Sequence, residues 1–155
     1  MAIPKAKTLQ EKFGFMDSDI KKPEHDEMIR WIDDNILDIL MVEFGCAARP
    51  KGIRTRWEPV VRQTSGGGGI IGFVDFIARQ SDRRIVFEAK TAIESLGVLF
   101  RQVRMYQEGY IDGCPIYEMP IVVVCPDDTH ATTIREQGLR FIKYDPKMKF
   151  ALGGV

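Results

Sequence analysis

The stretch FVDFIARQSDRRIVFEAKT, Phe73 to Thr91, decides how this chain is read. Two apolar runs flank a polar turn, the pattern of a β-hairpin. Each run carries one acid inside it, Asp75 in the first and Glu88 in the second. A turn centred between Ser81 and Asp82 makes these acids direct cross-strand neighbours on one face, with Cβ atoms roughly 4.5–5.5 Å apart. A shift of one residue would send them to opposite faces. Two carboxylates side by side among Ile, Val and Phe repel, so either one is protonated or a cation lies between them. Oxygen donors at this spacing suit a hard divalent ion such as Mg²⁺.

Lys90 follows Glu88 by two residues and shares its face, while Ala89 points the other way with Ile85 and Phe87. A lysine beside two acids and a metal can hold a water or offset charge developing on a phosphate. The plainer alternative is a salt bridge from Lys90 to Glu88 at a strand end.

Outward from the hairpin, the pattern gives an α/β chain. Pro23 suits a first helical turn, and apolar residues at 28, 29, 32, 36, 39 and 40 form a core-facing stripe that Gly45 ends. A strand is predicted over about Ile53 to Gln63, then a flexible loop over Thr64 to Gly69, then strands over about Ile70–Arg79 and Arg84–Lys90. Thr91 and Glu94 form a capping box for a helix that runs to about Glu108 and stops at Gly109. The run MPIVVVCP reads as a strand buried on both faces. A short helix near His130–Gln137 and a last strand, LRFIKY, complete an αβββαβαβ order: a mixed central β-sheet flanked by helices.

On the helix after the hairpin, Gln102 and Tyr106 stand four residues apart and share a face with Leu99 and Val103. Gln102 is thus a polar group on an apolar stripe. It is either directed at the site or sits at the stripe's rim, with Tyr106 as plain core. Arg101 and Arg104 flank this face and are either phosphate-directed or solvated.

The chain has 155 residues, 45% hydrophobic and 28% charged, with a formal net charge of zero. That size suggests a globular body over residues 23–155 with an N-terminal arm over 1–22. No apolar run approaches the ~20 residues that span a bilayer, and the N-terminus lacks an apolar signal core, so the expected address is cytoplasmic without membrane contact. Cys46, Cys114 and Cys125 lack metal-ligand spacing and are expected to be reduced thiols. With only His25 and His130 beside them, a zinc site is not expected. A neutral chain does not adhere to nucleic acid as a whole, but the segment Arg49 to Arg62 is locally basic, with Arg54, Arg56 and Arg62. It serves either to bind phosphates or to protect an edge strand from aggregation.

Asp75 with Glu88-Ala89-Lys90, followed by Gln102-Val-Arg-Met-Tyr106, resembles the PD-(D/E)XK superfamily of restriction-endonuclease-like nucleases. The Gln-x-x-x-Tyr spacing is similar to that of its RecB-like subgroup. Val74 stands where the family motif has proline. The resemblance covers about Pro23 to Pro126 and implies an αβββαβ core. It implies a nuclease in which Asp75 and Glu88 hold Mg²⁺ or Mn²⁺, Lys90 assists the attacking water, and Gln102 and Tyr106 support the site. An acid on the first helix joins the metal in that family. Glu27 is the choice here, with Glu24, Asp26 and Glu43 as competitors and His25 as a further participant. The implied partner is DNA, tracked by Arg54, Arg56, Arg62, Arg101 and Arg104. A homodimer would place two such sites on one duplex. The rival class is a non-cleaving nucleic-acid-binding or protein-interaction module of the same fold, from a mobile element or defence system.

Overall fold

The computed structural model describes residues 23–45 and 52–147. The expected arm at 1–22 lies outside the described residues, as do Cys46, Arg49 and Lys51. Two helices, α1 (Pro23–Asp34) and α2 (Ile36–Phe44), open the described chain. They were expected as one. Asn35 interrupts them: its side-chain amide donates to the Trp31 carbonyl at 2.8 Å, beside the backbone amide that does the same. A side chain competing for a helix carbonyl bends the ladder at that point. The predicted apolar stripe is buried throughout, and Gly45 closes α2 in the left-handed conformation, φ 65°, with its amide on the Met41 carbonyl.

The strands are β1 (Arg54–Trp57), β2 (Val60–Thr64), β3 (Gly67–Phe73), β4 (Phe76–Gln80) and β5 (Arg83–Ala89). Helix α3 (Leu96–Gln107) follows, then a small hairpin of β6 (Tyr110–Ile111) and β7 (Cys114–Pro115). Strand β8 (Ile121–Cys125), helix α4 (Ala131–Glu136) and strand β9 (Arg140–Lys143) complete the order. The main sheet has five strands in the order β1-β4-β5-β8-β9. It is mixed: β1, β4 and β5 pair antiparallel, whereas β5, β8 and β9 run parallel. Helices α1 and α2 cover one face through Phe76, Ala78, Phe87 and Val122. Helices α3 and α4 cover the other through Ile77, Val86, Val123 and Phe141. This is the α/β class expected: a mixed central sheet flanked by helices.

Two predicted strands are each broken in two. The run Ile53–Gln63 breaks at Glu58-Pro59, and Ile70–Arg79 breaks at Val74-Asp75. The halves beyond the breaks, β2 and β3, leave the main sheet and build a second, four-stranded sheet in the order β3-β2-β6-β7. Pairing stays in step across the break. Trp57 pairs with Phe76, Glu58 N–H donates to the Asp75 carbonyl at 2.9 Å, Val74 N–H to the Pro59 carbonyl at 3.3 Å, and Val60 pairs with Phe73. One long hairpin therefore bends once and serves both sheets. The glycine run is not a free loop: Gly67–Gly69 belong to β3, and the β2–β3 pairing slips twice on the way to the tip. The expected capping box also moves. Ser95, not Thr91, caps α3, its hydroxyl accepting from Val98 N–H at 3.2 Å.

Candidate active site

The bend decides where Asp75 goes. The β4–β5 register pairs Phe76 with Phe87, the register assumed for the hairpin, so the next pair along the ladder is Asp75 with Glu88. Side chains replace main-chain bonds at that step. Asp75 N–H donates to Glu88 Oε1 at 3.2 Å, and Ala89 N–H donates to Asp75 Oδ2 at 2.8 Å. Each carboxylate is thus oriented by a backbone donor of the opposite strand.

The remaining oxygens face polar neighbours. Asp75 Oδ1 lies 3.2 Å from His25 Nε2 of α1, and Glu88 Oε2 lies 3.9 Å from Lys90 Nζ. Lys90 leaves β5 with its amide on the Val124 carbonyl of β8 at 2.8 Å. His25, Asp75, Glu88 and Lys90 are 4%, 8%, 1% and 9% exposed, and no other acidic, basic or histidine side chain of the described residues is buried. Every buried group of this kind is therefore drawn to one place. Interiors tolerate such groups only when they are paired and hydrogen-bonded.

Helix α3 braces the bend. The Tyr106 hydroxyl donates to the Phe73 carbonyl at 2.9 Å, two residues before Asp75, and Gln102 Nε2 donates to the Tyr106 oxygen at 3.2 Å. Tyr106 is core and Gln102 is half-buried, on one face as their spacing demands. Glu27 is exposed, and its charge acts on Tyr144, whose phenol is raised by burial first and then by Glu27 and Asp145. The residue of that turn which meets Asp75 is His25.

Glu58, which the sequence reading passed over, lies beside Asp75, its amide on the Asp75 carbonyl at 2.9 Å. Partial burial, then Asp75 and Asp26, hold its carboxyl above the usual range, against the lowering effect of His25. Its signal in the sequence is faint: an acid before a proline in the middle of a predicted strand.

The basic residues divide into two groups. Arg56 Nη2 is 2.6 Å from Asp112 Oδ2, and Arg62 Nη1 donates to the Gly68 carbonyl at 3.2 Å. Arg54, Arg101 and Arg104 are exposed. Trp57, between Arg56 and Glu58, is partly exposed and donates its indole N–H to Asp33 at 3.0 Å.

Among the described residues, no group of three His, Cys, Asp or Glu side chains could hold a metal ion, and no helix is long and apolar enough to cross a membrane.

No protein-family model matches the chain, and no curated protein matches it by sequence. Among solved structures, it is similar to the crystal structure of a repair endonuclease from Pyrococcus abyssi, with TM-score 0.47 and 20% identity over 84% of this chain and 50% of that one. It is also similar to EndoMS in a complex with double-stranded DNA, with TM-score 0.46 and 22% identity over 80% of this chain and 45% of that one. The chain spans half the length or less of each.

Proposed function

We propose that this chain is a nuclease of the PD-(D/E)XK type that hydrolyses phosphodiester bonds of DNA with Mg²⁺ or Mn²⁺. One observation carries the reading. The buried acids, lysine and histidine of the described residues all converge at the bend, with both carboxylates oriented by backbone donors. Burying four such groups together costs stability unless they are paired, and their convergence supports a chemical site.

The donor set fits a hard cation. Mg²⁺ is bound through one or two carboxylates, with waters and substrate phosphates completing its shell, so it needs no closed protein cage. Asp75 and Glu88 would hold it. When bound, the cation polarises the phosphate and lowers the pKa of water. Lys90, 3.9 Å from Glu88 Oε2, would offset negative charge on the phosphate or orient the attacking water. His25, with Nε2 3.2 Å from Asp75 Oδ1, would help to position that oxygen. Tyr106 holds the chain at Phe73 so that Asp75 stays in place, and Gln102 presents an amide beside it. Arg54, Arg101 and Arg104 are available for backbone phosphates, whereas Arg56 and Arg62 would have to leave or share internal partners.

A panel of plasmid, linear, flap, junction and single-stranded DNA, with RNA alongside, tests this. Cleavage of at least one DNA in Mg²⁺ or Mn²⁺, lost with EDTA and in Lys90→Ala, supports the reading. Metal-independent cleavage, or wild-type rates in Lys90→Ala, would refute it.

A further inference from the structure

We infer that Arg54, Arg79 and Arg84 form a phosphate track, a row of guanidiniums that holds the backbone of duplex DNA on the same sheet face as Glu88. The inference deepens the nuclease reading and rests on it for the identity of the ligand.

Register places the three side chains together. Arg54 pairs with Arg79 across β1 and β4, and Arg79 pairs with Arg84 across β4 and β5. Direct partners in antiparallel strands put their side chains on one face. The three arginines therefore stand in a line across three adjacent strands. At ~4.8 Å between strands the line is roughly 10 Å long, about three nucleotide steps of a duplex strand at ~3.4 Å each. On β5, Arg84, Val86 and Glu88 alternate with Ile85 and Phe87, so the row and the acid share one face of the strand. They lie roughly 13 Å apart along it.

Stability does not account for this row. Like charges directly opposite each other are destabilising, and the row contains two such pairs. Basic residues on an edge strand guard against aggregation, but only β1 is an edge, whereas β4 and β5 are interior strands. The chain carries 22 acids against 22 bases, yet among the described residues none of these three arginines forms an ion pair. A local cluster of one sign on a neutral chain is the electrostatic footprint of an anionic partner.

The donors are also aimed. Arg79 Nε donates to the Ser81 carbonyl at 2.9 Å, and Arg84 Nη1 donates to the Asp82 carbonyl at 3.5 Å. Main-chain oxygens of the turn thus orient both guanidiniums, and among the described residues the terminal nitrogens of Arg79 stay open. Such a fork matches the oxygens of a phosphate. Arg54 and Arg79 are exposed and Arg84 is half-buried. Arg83, on the opposite face, is engaged differently: its guanidinium lies over the Phe44 ring, 4.9 Å from the centroid.

The experiment is binding of a short fluorescein-labelled duplex, read by anisotropy in EDTA so that nothing is cut. Wild type, Arg79→Gln, Arg79→Gln/Arg84→Gln and Arg83→Gln are compared between about 50 and 200 mM salt. The slope of log affinity against log salt is expected to shrink by ~0.9 in Arg79→Gln and ~1.8 in the double variant, one phosphate contact for each arginine. Arg83→Gln removes the same charge from the neighbouring position and is expected to keep the wild-type slope. A wild-type slope in the double variant, or a fall in Arg83→Gln equal to that in Arg79→Gln, would overturn the inference and leave the nuclease reading intact. A wild-type chain that does not bind the duplex would overturn it as well. Absence of cleavage of every DNA in Mg²⁺ or Mn²⁺ would overturn the nuclease reading instead.

Discussion

The Tyr106 hydroxyl lies 2.9 Å from the Phe73 carbonyl, and this bond ties helix α3 to the chain two residues before Asp75. Tyr106→Phe keeps the ring in the core and removes only the hydroxyl. We expect it to cost about 0.5–1.5 kcal/mol, the net worth of one hydrogen bond, plus a penalty for the carbonyl left unpaired. Cleavage should fall more than stability does, because the bend carries the site. Chemical denaturation and initial rates on the same samples check both. Tyr106→Phe with a normal rate would show that the brace is structural only.

Asp75 has two roles that separate by substitution. Its Oδ2 satisfies the buried Ala89 N–H. Asp75→Asn keeps an acceptor oxygen for that bond and is expected to fold with a melting temperature near wild type, yet not to cleave. Asp75→Ala leaves the amide unpaired and is expected to lose about 1–3 kcal/mol. Thermal melts of the two variants, side by side, give the comparison.

Glu58 makes stability depend on pH in a defined sense. Its carboxyl is raised by partial burial first, then by Asp75 and Asp26. The folded state thus holds the proton more tightly than the unfolded state. Its contribution is full below the ordinary carboxylate pKa and is lost as pH rises through the raised value. Glu58→Gln should therefore melt higher than wild type at neutral pH without metal, and the difference should shrink toward pH 4. Equal gains at both pH values would remove ionisation as the cause.

Gly109 is required by close approach. A Cβ there would overlap Val61 Cγ1 and lie 3.0 Å from both the Arg62 carbonyl oxygen and Ile71 Cδ1. The end of α3 is thereby pressed against β2 and β3. Gly109→Ala should cost about 1–3 kcal/mol through overpacking, and should lower cleavage by displacing the brace on the bend. A melting temperature equal to wild type would contradict this.

Much of the main sheet was legible in the sequence, and so was the pairing of Asp75 with Glu88. A turn centred at Ser81-Asp82 was the assumed register and is the one the structure adopts, and the apolar run before Pro126 reads as a doubly covered strand. The bend was not legible. Glu58-Pro59 and Asp75 are poor strand residues that hint at a break in each run, but nothing local says that each strand changes sheets there. Part of the second sheet could have been found: Asp112-Gly113 is a two-residue hairpin signal, and both residues adopt positive φ, 51° and 79°. On α1, an exposed Glu27 and a buried His25 are two residues apart. Only the packing of that turn against Asp75 distinguishes them.

Manganese soaked into crystals of the full chain tests the central claim most directly. The account predicts an anomalous peak within coordinating distance of both Asp75 and Glu88, beside Lys90, and its disappearance in Asp75→Asn crystals. A well-ordered bend with no peak at that position, or a peak bound elsewhere and unchanged by Asp75→Asn, would contradict it.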